Sequence, residues 1–279
     1  MIWQTKCAPS PQPSGYHWPN SFRPQHISVI LYEYPLHERI RTYLRLEHLS
    51  LRLHQLASRV DALDHHFALV TLFEIMDVAA RADLKSDLLK DLDRHKHTLE
   101  GYRGNPAIAE AALEKVISEL DQSFEALNAQ PGKAGQSLSE NDWLMSIRSR
   151  ISIPGGTCEF DLPAYYAWQH KTGVLRQAEL SQWTSTLTPL TDAVHLLLKL
   201  LRDSGSPQKV MANGGQFQQN LPQGRTFLLL RLALDVGQEV IPEISGNRLM
   251  VSVRLMRLGE DHRPHATSDD VSFELALCS

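Results

Sequence analysis

The sequence has too little cysteine for a disulfide framework. Cys7, Cys158 and Cys278 are its three, scattered over 279 residues, and secreted scaffolds need more, at regular spacing. No two stand as C-x-x-C, so a zinc ribbon has no thiol pair to start from. The cysteine usage points to a reducing, cytoplasmic setting. Long apolar runs are also missing. The longest, "HLLLKLL" at 195–201, is broken by Lys199, far short of the roughly 18 residues a membrane helix needs. Nor is there an excess of positive charge. The 28 Lys plus Arg face 32 Asp plus Glu, for a formal charge of -4, whereas a general nucleic-acid-binding domain is usually basic. Any basic recognition surface must be local.

A phosphate loop is absent too. The nearest approach, "SIPGGTCEFD" at 152–161, has two glycines and no lysine, and it puts Glu159 and Asp161 where an anion would sit. The Pro-Gly-Gly reads instead as a tight turn. Asp161 then caps a short helix starting near Pro163, and Phe160, Leu162, Tyr165, Tyr166 and Trp168 are set up for packing.

What the chain does have is a globular balance, 42% hydrophobic and 22% charged. That is enough for one large domain or two modest ones. Residues 1–26 stand apart: "CAPSPQPSGYHWPNSFRPQ" is proline-rich and aperiodic. This segment reads as a disordered arm or as a spurious extension from a start upstream of the real one. The abrupt onset of the folded pattern at Ile27 favours the second.

"ISVILYEY" at 27–34 is β-branched and aromatic and reads as a strand. From Leu36 the apolar spacing becomes helical, at Ile40, Tyr43, Leu44, Leu53, Leu56 and Val60. An apolar second helix follows, capped at Asp64. A third carries Leu84, Leu88, Leu92 and Leu99, and a fourth is capped at Asn105 with Pro106 at its first position. Helices starting near 139–142, at 175–187 and at 189–203 bring the total to seven or so. Beyond "DSGSPQ" the period becomes two: Leu228, Leu230, Leu232 and Leu234; then Val251, Val253 and Leu255; then Phe273, Leu275 and Leu277. This predicts an antiparallel sheet packed on one side. The fold class is therefore α+β. A helical domain at 36–204 is inserted into a small antiparallel β domain made from both chain ends, 27–35 and 205–279.

Several residue clusters raise the question of chemistry. Cys158 with His170 and Glu159 is the sketch of a cysteine-dependent hydrolase or transferase. The neighbouring carboxylates would raise a thiol pKa rather than lower it, so a buried structural cysteine fits better. Histidines at 64–66, 95–97 and 262–265 lack the i, i+4 pair and second cluster of a metal site, and read as solvated. Asp91 and Asp93 read as exposed partners of nearby Lys and Arg. The basic residues are more informative. Arg39, Arg41, Arg45 and Arg52 lie on the first helix, Arg81 and Lys85 are four apart, and Arg231, Arg248 and Arg254 fall on or beside strands. They are either ordinary solvated faces or a groove for an acidic or C-terminal peptide, since a guanidinium pairs with a carboxylate in two places. The same arginines could instead hold a nucleic acid, which the net charge disfavours.

Six segments together resemble one family: "LYEYPLHERIRTYLRLEHL", "LLKDLDRHK", "SIPGGTCEFDLPAYYAW", "LTPLTDAV", "PEISGNRLMVSVRLM" and "VSFELALC". In order and spacing they look like the ZapD family of division-ring proteins, from about residue 29 to the C-terminus. The resemblance implies a non-enzymatic cytoplasmic homodimer without cofactor, located at the mid-cell division ring. It would bind the C-terminal tail of the tubulin-like GTPase FtsZ and bundle its filaments, with no nucleic acid or membrane as partner. The positions carried over as partner-binding are Arg41, Arg45, Arg81, Lys85, Arg248 and Arg254. Met250 and Asp142 stand where the family leads one to expect a basic residue.

Overall fold

The computed structural model describes residues 28–80 and 83–279. The readings of residues 1–26, Ile27 and Arg81 fall outside the described residues. The architecture is α+β. Nine helices are described: α1 (Glu38–Ala57), α2 (Ala62–Ala79), α3 (Leu84–Glu100), α4 (Glu110–Ala129), α5 (Gln136–Ser139), α6 (Asp142–Ile151), α7 (Pro163–Gln169), α8 (Gly173–Ser185) and α9 (Thr188–Asp203). They stand between β1 (Val29–Pro35) and the C-terminal strands β2 (Gln208–Ala212), β3 (Gln216–Asn220), β4 (Leu229–Asp235), β5 (Ile241–Gly246), β6 (Met250–Leu258), β7 (Pro264–Ala266) and β8 (Val271–Cys278).

Helix α2 is the central one. Ala68, Leu69, Leu72, Phe73, Ile75, Met76 and Ala79 are all buried, as its near-continuous apolar sequence requires. Leu88 and Leu92 of α3, Leu120 and Leu127 of α4, and Leu190, Val194 and Leu198 of α9 complete the same core. The start of α2 differs from the sequence expectation. Asp61, not Asp64, caps it, accepting the Leu63 N–H at 2.7 Å. Helix α4 starts later than the Asn-Pro pair suggests. Asn105 Oδ1 accepts the Ala107 N–H in a turn, and the helix begins at Glu110. Helix α7 begins at Pro163 as its sequence indicates, but Leu162 is the N-cap, without a side-chain bond. Asp161 faces Arg150 at 3.8 Å instead.

At the Pro-Gly-Gly turn, Gly155 has φ +70°, and a Cβ on Gly156 would lie 2.6 Å from the Arg150 carbonyl oxygen. Both glycines are therefore sterically required. Tyr165 and Trp168 are buried beyond the turn, stacked at 5.8 Å. Phe160 and Tyr166 are not packed as expected; Phe160 is 77% exposed.

The β domain is a two-sheet sandwich rather than one sheet. One sheet runs β1-β4-β8-β2; the other runs β3-β6-β5, with β7 pairing the far end of β6. Leu230, Leu232, Leu234, Phe273 and Leu275 of the first sheet meet Val251, Val253 and Leu255 of the second. Phe217 and Phe273 close edge to face at 5.5 Å. The opposite side of the first sheet is also covered, because Leu229 and Cys278 belong to the helical core.

Four charged residues join the two domains. The Arg202 guanidinium of α9 bonds both Glu33 oxygens (2.8 and 2.7 Å) and both Glu47 oxygens (2.7 and 2.6 Å), so it links β1 and α1. Arg231 of β4 adds a bond to Glu33 at 3.0 Å.

Candidate functional site

Strand β1 turns into α1 through Pro35, and that corner forms one wall of an open groove of about 610 Å³. Glu33 and Pro35 lie on the β1 side, Arg41, Leu44, Arg45, His48 and Leu49 on α1, and Glu74, Asp77 and Val78 on α2. Residues 41, 45 and 48 share one helix face because they are three and four apart. The apolar lining comes from Leu44, Leu49 and Val78, which also rest on the helical core.

The groove holds three acids as well as two arginines, so its available charge depends on which are already paired. Glu33 is held by Arg202 and Arg231. Glu74 is paired with Arg52, and Asp77 with Arg148. Each acid is thus neutralised by an arginine from outside the groove. Arg41 bonds Glu38 at 3.2 Å on the solvent side and lies 5.9 Å from the Tyr34 ring centroid. Arg45 is exposed and has no carboxylate partner among the described residues. The groove therefore offers unspent positive charge over an apolar floor.

The other basic positions lie elsewhere. Lys85 Nζ donates to the carbonyls of Gln130 (2.5 Å) and Gly132 (3.5 Å), tying down the chain just after α4. Arg254 stands on the outer face of the second sheet, opposite Glu243 and Gln216, with Glu243 Oε2 at 3.6 Å. Arg248 is exposed in the β5–β6 turn. Arg41 and Arg45 share a groove; Lys85 is engaged in the fold, and Arg248 in the β5–β6 turn and Arg254 within β6 lie on the β domain, outside the groove lining. Arg39 is drawn inward, 3.2 Å from Asp91.

Asp91 itself is buried, contrary to the sequence expectation. It accepts the Tyr43 hydroxyl at 3.0 Å and pairs with Arg39 and Arg94, and those partners make its burial tolerable. His65 is likewise buried rather than solvated. Its Nε2 donates to the Arg59 carbonyl at 2.7 Å, and its Nδ1 accepts from Arg176 at 2.9 Å. A guanidinium can only donate, which fixes the tautomer, and burial lowers the His65 pKa. Among the described residues no group of three or more His, Cys, Asp or Glu is gathered as a metal would need. His170 Nδ1 is bonded to the Tyr166 carbonyl at 2.8 Å, within its own helix turn. No hydrogen bond joins it to Cys158 among the described residues. No helix of the described residues is long and apolar enough to cross a membrane.

Comparison with known proteins gives a consistent picture. The family described as "ZapD: Cell division protein" matches residues 44–254. A "Cell division protein ZapD" of Ralstonia nicotianae is 53% identical over 252 residues, covering 90% of this chain and 100% of the relative. One of Ralstonia pickettii is 52% identical over the same coverage. Both relatives are named for cell division and not for a catalysed reaction.

Proposed function

The chain belongs to the ZapD family of cell division proteins, and from that premise we propose that it is a non-enzymatic cross-linker of FtsZ filaments. It binds the C-terminal tail of FtsZ and works in the cytoplasm at the mid-cell ring. The observation that carries this reading is the β1–α1–α2 groove, where Arg45 lacks a carboxylate while every acid is already paired. A tail carboxylate entering there displaces only the exposed Glu38 from Arg41. Arg248 and Arg254 offer a second contact on the β domain.

Bundling needs two tail sites per particle, which a symmetric dimer provides. Tails arrayed along a filament then turn weak single contacts into strong overall attachment through effective concentration. Self-association would use the helical domain, where Val60, Leu63, Phe67, Val174 and Leu175 are all exposed apolar residues. Val60 lies against Gly173, so the start of α8 continues the α2 patch.

The test is co-sedimentation with GTP-assembled FtsZ, full length or lacking its tail. Pelleting with intact FtsZ alone is expected; equal pelleting with tailless FtsZ rejects tail tethering. The variants Arg41→Ala/Arg45→Ala and Arg248→Ala/Arg254→Ala separate the two basic regions. At ~0.2–1 kcal/mol for each exposed pair, the first double variant weakens tail binding by roughly twofold to thirtyfold. The loss should shrink as salt rises.

A further inference from the structure

Arg176 of α8 is a buried cation without a carboxylate. It is 5% exposed, and no ion pair among the described residues includes it. Neutral acceptors hold its charge instead. Nη1 donates to the Gln169 carbonyl at 2.8 Å and to the Lys171 carbonyl, and Nη2 donates to the Val60 carbonyl at 2.7 Å. Nε donates to His65 Nδ1 at 2.9 Å. One guanidinium thus ties together the α1–α2 connection, α2 and the end of α7. His65 closes this cage only as a neutral imidazole, because a guanidinium has nothing but donors. The proton it keeps is on Nε2, which donates to the Arg59 carbonyl at 2.7 Å.

The stretches held by the cage are those that carry the exposed apolar face. Val60 supplies one of the carbonyls, Leu63 is two residues from His65, and Val174 and Leu175 immediately precede Arg176. Gln177 adds bonds to the Ser58 and Arg59 carbonyls at 3.0 and 2.9 Å. A Cβ on Gly173 would stand 2.9 Å from the Val60 carbonyl oxygen, so the two stretches are in tight contact. The charges around His65 are few. Arg176 comes from α8, and Asp61 and Asp64 come from its own helix. Arg59 presents a carbonyl and turns its guanidinium to Asp64 at 3.1 Å. Trp168 of α7 presents a neutral ring, and Lys171 and Glu179 pair with each other at 2.7 Å.

We propose that His65 and Arg176 form an acid-released latch that shapes the apolar face for a second copy of this chain. A proton taken up at Nδ1 of His65 leaves Arg176 Nε without its acceptor. It also sets two cations side by side in a buried site, a cost that no paired carboxylate offsets. The start of α8 then parts from the α1–α2 connection, and the two halves of the face lose their register. Burial holds His65 below its ordinary pKa and Arg176 adds to this, while the Arg59 carbonyl, Asp61 and Asp64 oppose them. The latch is therefore fully closed above about pH 6.5. Below it, closure weakens by up to about tenfold per pH unit for one proton. The link to a second copy rests on the self-association reading above; the latch itself rests on the cage.

The experiment is amide hydrogen exchange on the full chain at pH 7.5 and 5.5, with each rate divided by that of the urea-unfolded chain at the same pH. Sedimentation equilibrium is run beside it. Protection over residues 58–64 and 171–177 should fall by about fivefold to tenfold at pH 5.5, and the dimer dissociation constant should rise by a similar factor. Protection there should stay below that of α9 at both pH values, which marks the opening as local. His65→Gln should lose the pH dependence of these two segments, and His66→Gln should keep it. Three results overturn the latch, and the first two need no variant: a change of less than about twofold in the unaltered chain, segments that exchange only as fast as α9, or a folded His65→Gln that keeps the acid response. Segments that open while the dimer dissociation constant stays fixed overturn the link between latch and face. A chain that is monomeric at pH 7.5 overturns the self-association reading, and exchange alone then decides the latch.

Discussion

Replacing Arg202 with methionine is the sharpest test of how the two domains are held. The arginine side chain is 22% exposed, and its two partners, Glu33 and Glu47, are 17% and 11% exposed. It makes four hydrogen bonds of 2.6–2.8 Å to their carboxylates. Methionine fills much of the volume but leaves Glu47 without its cation, in a site too dry to hydrate it fully. Glu33 retains Arg231 alone. Breaking a buried pair from one side costs about 3–5 kcal/mol, mostly as the penalty on the charge left behind. At about 2 °C per kcal/mol for a chain of this size, the melting temperature falls by at least roughly 6 °C.

The same reasoning predicts a rescue. Arg202→Met combined with Glu47→Leu removes the stranded charge, and replacing a buried pair with apolar groups of like volume is often near neutral. The double variant should recover more than half of the loss in urea denaturation. A second consequence reaches the groove, because Glu33 forms part of its wall. Freed from Arg202, that carboxylate repels a tail carboxylate, so the single variant binds tail peptide more weakly even when folded. A loss below about 1 kcal/mol for Arg202→Met would refute the argument, since it would show the cluster to be solvated and the domain junction to be held by packing alone.

Two further predictions follow from other sites. His65 is buried, bonded to Arg176, and held below its usual pKa by desolvation; His66 and His95 are lowered for the same reason. The unfolded chain therefore binds protons near pH 6 that the folded chain refuses. Stability is full above about pH 6.5 and falls as pH drops, at up to about 1.4 kcal/mol per pH unit for each such proton. His97 is raised by Asp93 and runs the other way, but it is exposed. Urea midpoints at pH 7.5 and 5.5 check the sign, and equal midpoints would contradict it. Leu63→Glu, in the exposed patch with Val60 and Val174, should convert the proposed dimer to a monomer in sedimentation equilibrium that keeps its helical circular dichroism signal, with any fall in melting temperature limited to the lost association; an unchanged dimer removes that face from the proposal.

The helical core was legible because its signal is redundant. Each long helix repeats leucine at its own period, and α2 is apolar enough to be central whatever its ends do. Helix ends rest on single residues and were less secure: Asn105-Pro106 has the form of a cap, but its side chain closes a local turn instead. Strands β4, β6 and β8 alternate clearly since each packs one face on the sandwich core. Strands β2 and β3 gave no such signal; "QFQQN" offers one apolar residue because the outer face of its sheet is open to water. Without them, one sheet rather than two was the natural reading. The burial of Asp91 and His65 was also hidden, because what permits it lies far away in sequence, at Tyr43 and at Arg176.

The candidate site shows the same division between residue type and context. Sequence can say that Arg41, Arg45 and Lys85 are basic and near an apolar face, but not which charge is already committed. Lys85 holds carbonyls at the end of α4, and Arg52 and Arg148 neutralise Glu74 and Asp77. Those ion pairs join residues 22 and 71 positions apart, so no local pattern reveals them. They matter because an acid left unpaired in the groove would cancel Arg45 and repel the ligand. Neutralising Arg148, outside the groove, should therefore weaken acidic-peptide binding by exposing Asp77, although Arg148 need not touch the peptide. A surface count of arginines would assign Arg148 and Arg45 the same role; the pairing pattern leaves the charge of Arg45 available to the proposed ligand and commits Arg148 to the competing carboxylate of Asp77.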